Sequence, residues 1–343
     1  FVVNSAGDLP GIGSTSRCDS EIFTPGDQCT LRAALRATNA TPGTDTITFN
    51  LLPSTPGCDS ATGRCVINLF QPLPDITEGV TITGPGPDKL SVNRFGAGMT
   101  TNFRVFTVRA PDSVTLSGLT ISGGNVGAVN EIGGGVLADG GNLNITNSMI
   151  SSNIAAAGGA IASGVNHMGT IDISNSLIVG NGATGNGGIS GGGAIIVISG
   201  AVNVTNTIIF GNSASDTRGG AIHNLSGSLM ITNSTITQNG AGKGLGHGVY
   251  GSATVKSTII ARNLSGPDVE GSYSSSGFNV IGNRGNSTGF TQPTDQTGTA
   301  TVLDPKLVDM TIFGFPSPAQ PLCTSPALEK GTSVGLTGQL TTD

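Results

Sequence analysis

The residues best suited to acid–base chemistry cluster in the second half of the chain. His223 and Tyr250 occupy equivalent positions in successive repeats, and Arg218 and His247 lie close to them in the sequence. An imidazole and a phenol within reach of one substrate could act as acid and base, and an arginine could neutralise an acidic sugar. If the protein is a polysaccharide lyase, these four residues are its candidate site. The competing interpretation is that they are solvated side chains on one outer face.

Glycoside hydrolysis would instead need two carboxyl groups flanking one bond. The acidic residues between positions 114 and 263 are Glu131, Asp139, Asp172 and Asp216. We expect Asp139 and Asp216 in loops and Asp172 on an outward strand position, so none forms a pair on adjacent repeats. His167 stands alone in a loop and is expected at the surface. The sequence therefore assigns no catalytic residue, no metal and no cofactor.

These candidates lie within a pattern that returns five times between residues 133 and 263. Each copy begins with a glycine-rich corner such as GGAI and ends with an apolar run closed by asparagine, such as ISNSLIVGN. The copies recur every ~24 to 31 residues, and this self-similarity is the signature of a solenoid. No single repeat of a solenoid can bury its own apolar face.

Aligned copies show alternating β-branched and small polar residues, which favours strands over helices. When the copies are stacked, Ile and Val residues form apolar columns inside the solenoid. A column of Ser and Thr residues lies between two of these apolar columns. The last residue of each copy is an asparagine, and stacked asparagines can form a ladder of side-chain amides. The predicted ladder consists of Asn153, Asn181, Asn212, Asn239 and Asn263. The fold predicted from these repeats is all-β, a right-handed parallel β-helix.

The 343 residues are expected to form one elongated domain, because a solenoid grows by adding coils. Residues 1–49 are predicted to be an N-terminal cap with a disulfide loop and a helix. That helix runs over TLRAALRATNA from Thr30 to Ala40, with Thr30 as its N-cap. Coils are predicted over 50–267, and irregular coils with a C-terminal cap over 268–343. The proline-rich stretch 314–321 is expected to wrap the far end.

Charge and hydropathy exclude several partners. The net charge is −6 and basic residues are not clustered, which argues against nucleic acid. No apolar run reaches the ~20 residues needed to cross a bilayer. A chain that begins at Phe1 fits a mature exported protein or a trimmed one.

Cysteine spacing points to disulfides rather than to a metal. Cys18 with Cys29 and Cys58 with Cys65 form two close pairs, each spanning a short polar loop, and Cys323 is left over. Paired cysteines indicate an oxidising compartment, whereas a metal site would be expected to show Cys-x-x-Cys or a nearby His. We therefore expect a secreted or cell-surface protein.

Three segments resemble a known family. CTLRAALRATNATPGTDTITF from Cys29, GFNVIGN from Gly277 and CTSPALEKGTS from Cys323 are similar to bacterial surface β-helix proteins of the cysteine-LRAA type. The central glycine-rich corners with their closing asparagine also resemble repeats of polymorphic outer-membrane autotransporter proteins. The resemblance implies secretion or the cell surface, and a role in adhesion or scaffolding.

The expected function is a non-catalytic structural or adhesive one, in which the partner is another copy of the chain or a glycan-bearing cell surface. A polysaccharide-acting enzyme or a glycan-binding module is the alternative. A flat threonine face would suggest ice binding, but no outward column is expected to be uniformly threonine. The column that comes closest is Thr146, Ser174, Thr205, Thr232 and Lys256.

Overall fold

A computed structural model confirms the predicted fold class, a parallel β-helix that has one short helix among its described residues. The structure describes residues 1–11, 18–20, 26, 28–94, 101–185, 188–215, 218–264, 266–299, 301–313 and 315–327. Successive coils contribute one strand each to parallel sheets that run along the molecule, and two of these sheets have ten strands.

Sheets A and B are the two long sheets. In stacking order, sheet A consists of β1 (Val2–Val3), β2 (Asp45–Phe49), β4 (Val80–Thr83), β7 (Val114–Ser117), β11 (Leu143–Thr146), β15 (Thr170–Ser174), β19 (Ala201–Thr205), β23 (Ser228–Thr232), β27 (Ala253–Lys256) and β30 (Tyr273–Ser275). Sheet B consists of β3 (Cys65–Leu69), β5 (Leu90–Arg94), β8 (Thr120–Ser122), β12 (Met149–Ser151), β16 (Leu177–Val179), β20 (Ile208–Phe210), β24 (Thr235–Thr237), β28 (Ile259–Ile260), β31 (Val280–Ile281) and β32 (Gln296–Thr297).

Sheets C and D are shorter. Sheet C consists of β6 (Phe106–Val108), β10 (Val136–Ala138), β14 (Ile161–Ser163), β18 (Ile195–Val197), β22 (Ile222–Asn224), β26 (Val249–Tyr250) and β29 (Val269–Glu270). Sheet D consists of β9 (Asn125–Val126), β13 (Ile154–Ala155), β17 (Gly182–Ala183), β21 (Ser213–Ala214) and β25 (Gly240–Ala241).

The core is a set of apolar columns inside the coils. Ile145 of sheet A is in register with Leu116 and Ile173 on the neighbouring coils, and all three are buried. The glycine-rich corners let the chain turn tightly between sheets. A Cβ on Gly159 would lie 2.5 Å from the carbonyl oxygens of Gly182 and Gly193, so no larger residue fits there.

The N-terminal helix α1 (Leu31–Ala40) forms as predicted, with the Thr30 hydroxyl accepting from the Ala33 amide. Leu31 and Leu35 are fully buried and belong to the main core. Arg32 forms a buried ion pair with Asp8 at 2.8 Å. Both predicted disulfides form, Cys18–Cys29 and Cys58–Cys65, and Cys323 is an exposed thiol. No helix among the described residues is long and apolar enough to cross a membrane.

The C-terminal part departs from the expected end cap. Parallel coils continue through β32, after which β33 (Leu307–Ile312) and β34 (Phe315–Pro321) form an antiparallel hairpin. β34 contacts β20, so the proline-rich stretch lies along the side of the stack at sheet B.

Candidate functional site

The structure brings together three of the four candidate residues. His223 and Tyr250 are register partners in sheet C, with ring centroids 5.1 Å apart and an interplanar angle of 80°. The Arg218 guanidinium lies 5.0 Å from the centre of the Tyr250 ring, which is cation–π distance. His247 is bonded elsewhere: it is buried, and its Nδ1 accepts from the Ala241 amide at 2.8 Å. The candidate site is therefore Arg218, His223 and Tyr250.

His223 is packed as a neutral ring. It is 6% exposed, and its Nδ1 lies 2.7 Å from the carbonyl oxygen of Ser190, so this nitrogen carries the proton. Burial lowers the pKa of His223, and the hydrogen bond to Ser190 opposes that shift only in part. A buried neutral donor already bonded to backbone is suited to holding a loop in place.

The outward column that holds His223 is covered rather than solvated, which corrects the competing interpretation for His223, whereas Arg218 is exposed as that interpretation expects. Leu137, Ala162 and Ile196 precede His223 in this column and are buried, because they pack with apolar residues of neighbouring segments in a second cluster outside the main core. The segments contribute Ile132, Ile189 and Ile198. The segments that carry these three isoleucines cover the column. His223 bonds to Ser190, next to Ile189, and so holds one of these covering segments in place.

The cover ends at the coil of Tyr250. Tyr250 is half-buried, and its register partner on the next coil is Glu270, also half-buried. The column thus changes from apolar side chains to an aromatic ring and then a carboxylate. Sequence reasoning missed Glu270 because Val269–Glu270 lies outside the glycine-rich repeats, and only its spacing from Tyr250 could have indicated the position.

A shallow groove of about 550 Å³ lies beside this column, at the corner between sheets C and A. Its hydroxyl lining comes from Ser226, Ser228, Ser252, Ser272, Ser274 and Thr254. Tyr273 also lines the groove, but its hydroxyl donates to the Val249 carbonyl at 2.9 Å and its ring stacks on Phe290. Burial raises the pKa of Tyr273 far above its ordinary value, so this phenol is structural.

The acidic residues considered above are engaged in local contacts. Glu131 pairs with Arg104 at 2.6 Å, and Asp139 pairs with Arg109 at 3.3 Å. Asp172 accepts from the Asn203 amide at 2.8 Å. Asp216 lies outside the described residues. Within the described ranges, no group of three His, Cys, Asp or Glu side chains is placed to hold a metal ion.

His167 lies inside the molecule rather than at the surface. It is 0% exposed, and its Nδ1 lies 3.1 Å from the Gly140 carbonyl oxygen. Its loop folds back onto the stack, and a Cβ on Gly200 would lie 2.6 Å from the imidazole. Burial lowers the pKa of His167.

The asparagine column forms a continuous hydrogen-bonded ladder. In each step, the backbone amide and Nδ2 of one asparagine both donate to Oδ1 of the next, at 2.9–3.0 Å. The Gly124 amide donates to Asn153 at one end, and at the other end Asn263 donates to Asp268. A parallel hydroxyl ladder joins backbone amides to Ser176, Thr207 and Ser234. The coils are therefore connected by buried polar groups as well as by sheet hydrogen bonds.

No protein-family model matches this chain, and no curated protein matches its sequence. The resemblance to bacterial surface β-helix proteins therefore stays a hypothesis.

Proposed function

We propose that this protein is a non-catalytic extracellular structural or adhesive element, a stiff rod that presents long lateral faces. The observation that carries the proposal is the unbroken ladder from Asn153 to Asp268, in which buried amides link successive coils. Fully satisfied buried polar networks rigidify a structure. The two disulfides favour an oxidising, extracellular setting.

The state of the histidines supports this proposal over an acid–base enzyme. His223, His247 and His167 each engage Nδ1 with a backbone group, and burial lowers the pKa of all three. A general acid or base works best when its pKa is near the operating pH and its proton-transfer atom can reach the substrate. These rings are instead used to hold loops and corners.

The test is electron microscopy of the protein as released from its own cells, with antibody labelling of intact cells. We expect surface labelling, with filaments or sheets for a structural subunit and dispersed rods for an adhesin. The protein is also incubated with acidic and neutral polysaccharides. If it released unsaturated or reducing ends, and if His223→Ala and Tyr250→Phe abolished this release, the proposal would be contradicted. Labelling confined to the cell interior would also contradict it.

A glycan-binding module is the second candidate function, and the half-buried end of the sheet C column, at Tyr250 and Glu270, favours it. Tyr250 offers a ring, Arg218 and Glu270 offer charged hydrogen-bonding groups, and the serine-lined groove lies alongside. Sugar-binding sites combine an apolar surface with a few placed polar groups.

Calorimetry against a panel of oligosaccharides tests this candidate. We expect saturable binding without turnover, weakened at least tenfold by Tyr250→Ala and by Glu270→Gln. Ser91→Ala on sheet B is the matched control and should bind as the native protein does. Equal binding by all four proteins would place any glycan site elsewhere on the rod.

A further inference from the structure

The outer face of sheet A carries two columns of small polar side chains at its N-terminal end, and seven of the eight side chains are hydroxyls. We call this surface the threonine face, and it comprises the outward residues of four adjacent strands: Thr46 and Thr48 on β2, Thr81 and Thr83 on β4, Thr115 and Ser117 on β7, and Asn144 and Thr146 on β11. The register is unbroken, so each member faces its counterpart on the next coil. The column that runs from Thr146 to Lys256 on the later coils continues this more regular array.

The hydroxyls of this array are directed to solvent rather than used internally. Thr46 and Thr83 are exposed, and Thr81 and Thr115 are half-buried. Within the described part of the chain, the hydroxyls of β2, β4 and β7 on this face make no hydrogen bond to protein. By contrast, Thr146 already accepts from Ser174 at 3.0 Å. Three adjacent coils therefore offer a set of donors and acceptors to whatever lies outside.

The array repeats in two directions. Adjacent strands place equivalent hydroxyls ~4.8 Å apart, and residues i and i+2 of one strand lie ~6.6 Å apart. The register of β2, β4, β7 and β11 is continuous, so these side chains form a regular grid in two directions.

We propose that the threonine face binds the surface of crystalline ice. The two repeats of the grid are close to the two principal repeats of the oxygen lattice in ordinary ice, so water held by the hydroxyls lies near lattice positions. Threonine adds a methyl group beside each hydroxyl, which limits the alternative hydrogen bonds open to that water. The proposal does not depend on whether the rods assemble or bind glycans.

The absence of charge on the threonine face favours ice as its ligand. None of the eight residues of the threonine face is charged, which suits a neutral lattice, and charged side chains appear only on later coils at Asp172 and Lys256. A crystalline polysaccharide is the competing ligand. Surfaces that bind flat sugar rings use aromatic side chains for apolar contact, and none of the eight residues is aromatic.

The experiment measures how much protein enters slowly growing ice, together with ice-crystal coarsening, for the oxidised full chain. Thr115→Tyr places a bulky ring in the centre of the grid, and Thr81→Tyr is a second variant in case the first fails to fold. Ser91→Tyr makes the same change at a half-buried outward position of sheet B and serves as the control. Circular dichroism establishes that each variant is folded.

We expect the native protein and Ser91→Tyr to enter ice and to slow coarsening, and a folded threonine-face variant to lose at least fivefold of both effects. Exclusion of the native protein from ice, to the same extent as serum albumin, would overturn the proposal. Equal activity of the native protein and the threonine-face variants would also overturn it. So would Thr115-dependent binding to crystalline cellulose or chitin without entry into ice, which would assign the face to a polysaccharide.

Discussion

The side-chain amide of Asn263 donates to Oδ1 of Asp268 at 2.8 Å, so a column of neutral amides ends on a carboxylate. The same oxygen accepts from the Asn263 backbone amide, and Oδ2 accepts from the Asn283 amide at 2.7 Å. Asp268 is 2% exposed. Burial raises the pKa of Asp268 to about 6, although the hydrogen bonds from Asn263 and Asn283 favour the ionised form.

This shift predicts how stability depends on pH. Because the folded chain holds the Asp268 proton more tightly than the unfolded chain, its stabilising contribution is complete below pH ~4 and is lost as the pH rises through ~6. We expect native protein to lose about 2 kcal/mol more unfolding free energy between pH 4 and pH 7 than Asp268→Asn does. Guanidinium unfolding followed by circular dichroism measures both, and identical pH dependences would contradict the assignment.

The ladder predicts an asymmetry between buried and outward asparagines. Asn212 is 1% exposed, accepts from Asn181 and donates to Asn239. Asn212→Ala leaves these buried partners unsatisfied and should cost about 3 kcal/mol. Asn203→Ala removes only a half-buried outward bond to Asp172 and should cost under ~1 kcal/mol. Denaturant unfolding of both variants checks the difference, and equal losses would argue against the ladder as a stabilising element.

The three histidines predict a second dependence of stability on pH, opposite in sign to that of Asp268. Burial lowers the pKa of His167, His223 and His247, so the folded chain takes up these protons only below their ordinary range. The unfolded chain binds them near pH ~6.5. Their contribution to stability is therefore complete above that pH and is lost as the pH falls. Proton NMR of the imidazole rings should show no midpoint as high as 6.5, and one ring titrating there would show that it is solvated.

The disulfides predict an order of reduction. Cys18 and Cys29 are both buried, whereas Cys58 is half-buried beside the buried Cys65. A reductant should therefore open Cys58–Cys65 first. Brief dithiothreitol treatment, alkylation and peptide mapping give the order, and the exposed thiol of Cys323 should be labelled without reductant. Earlier labelling of Cys18 and Cys29 would contradict the expected order.

The coils were predictable because their chemistry is local and periodic. Ile145 and Asn153 recur at nearly fixed offsets, and each needs only its neighbours above and below to define its position. The helix at Leu31–Ala40 was predictable for a similar reason, since its N-cap and apolar face lie within one short segment.

What the sequence did not predict depends on contacts outside the repeat. His167 is buried because its loop returns onto the stack, and the column of Ile196 is covered by segments that carry Ile132 and Ile189. Asp268 follows Asn263 by only five residues, so it does not fall on the repeat, yet it accepts the last hydrogen bonds of the ladder. Loop length and composition do not indicate which face a loop will cover.

Each asparagine of the ladder except the last donates hydrogen bonds to the asparagine of the next coil, always in the same direction. This has a consequence for how the length of the rod can change in evolution. A duplicated coil with its own asparagine can enter between any two existing rungs without new chemistry, adding a step of ~4.8 Å each time. Only the last rung requires a different acceptor, and Asp268 supplies it. Tandem duplication within the gene could therefore set the reach of the rod, while both of its ends stay unchanged.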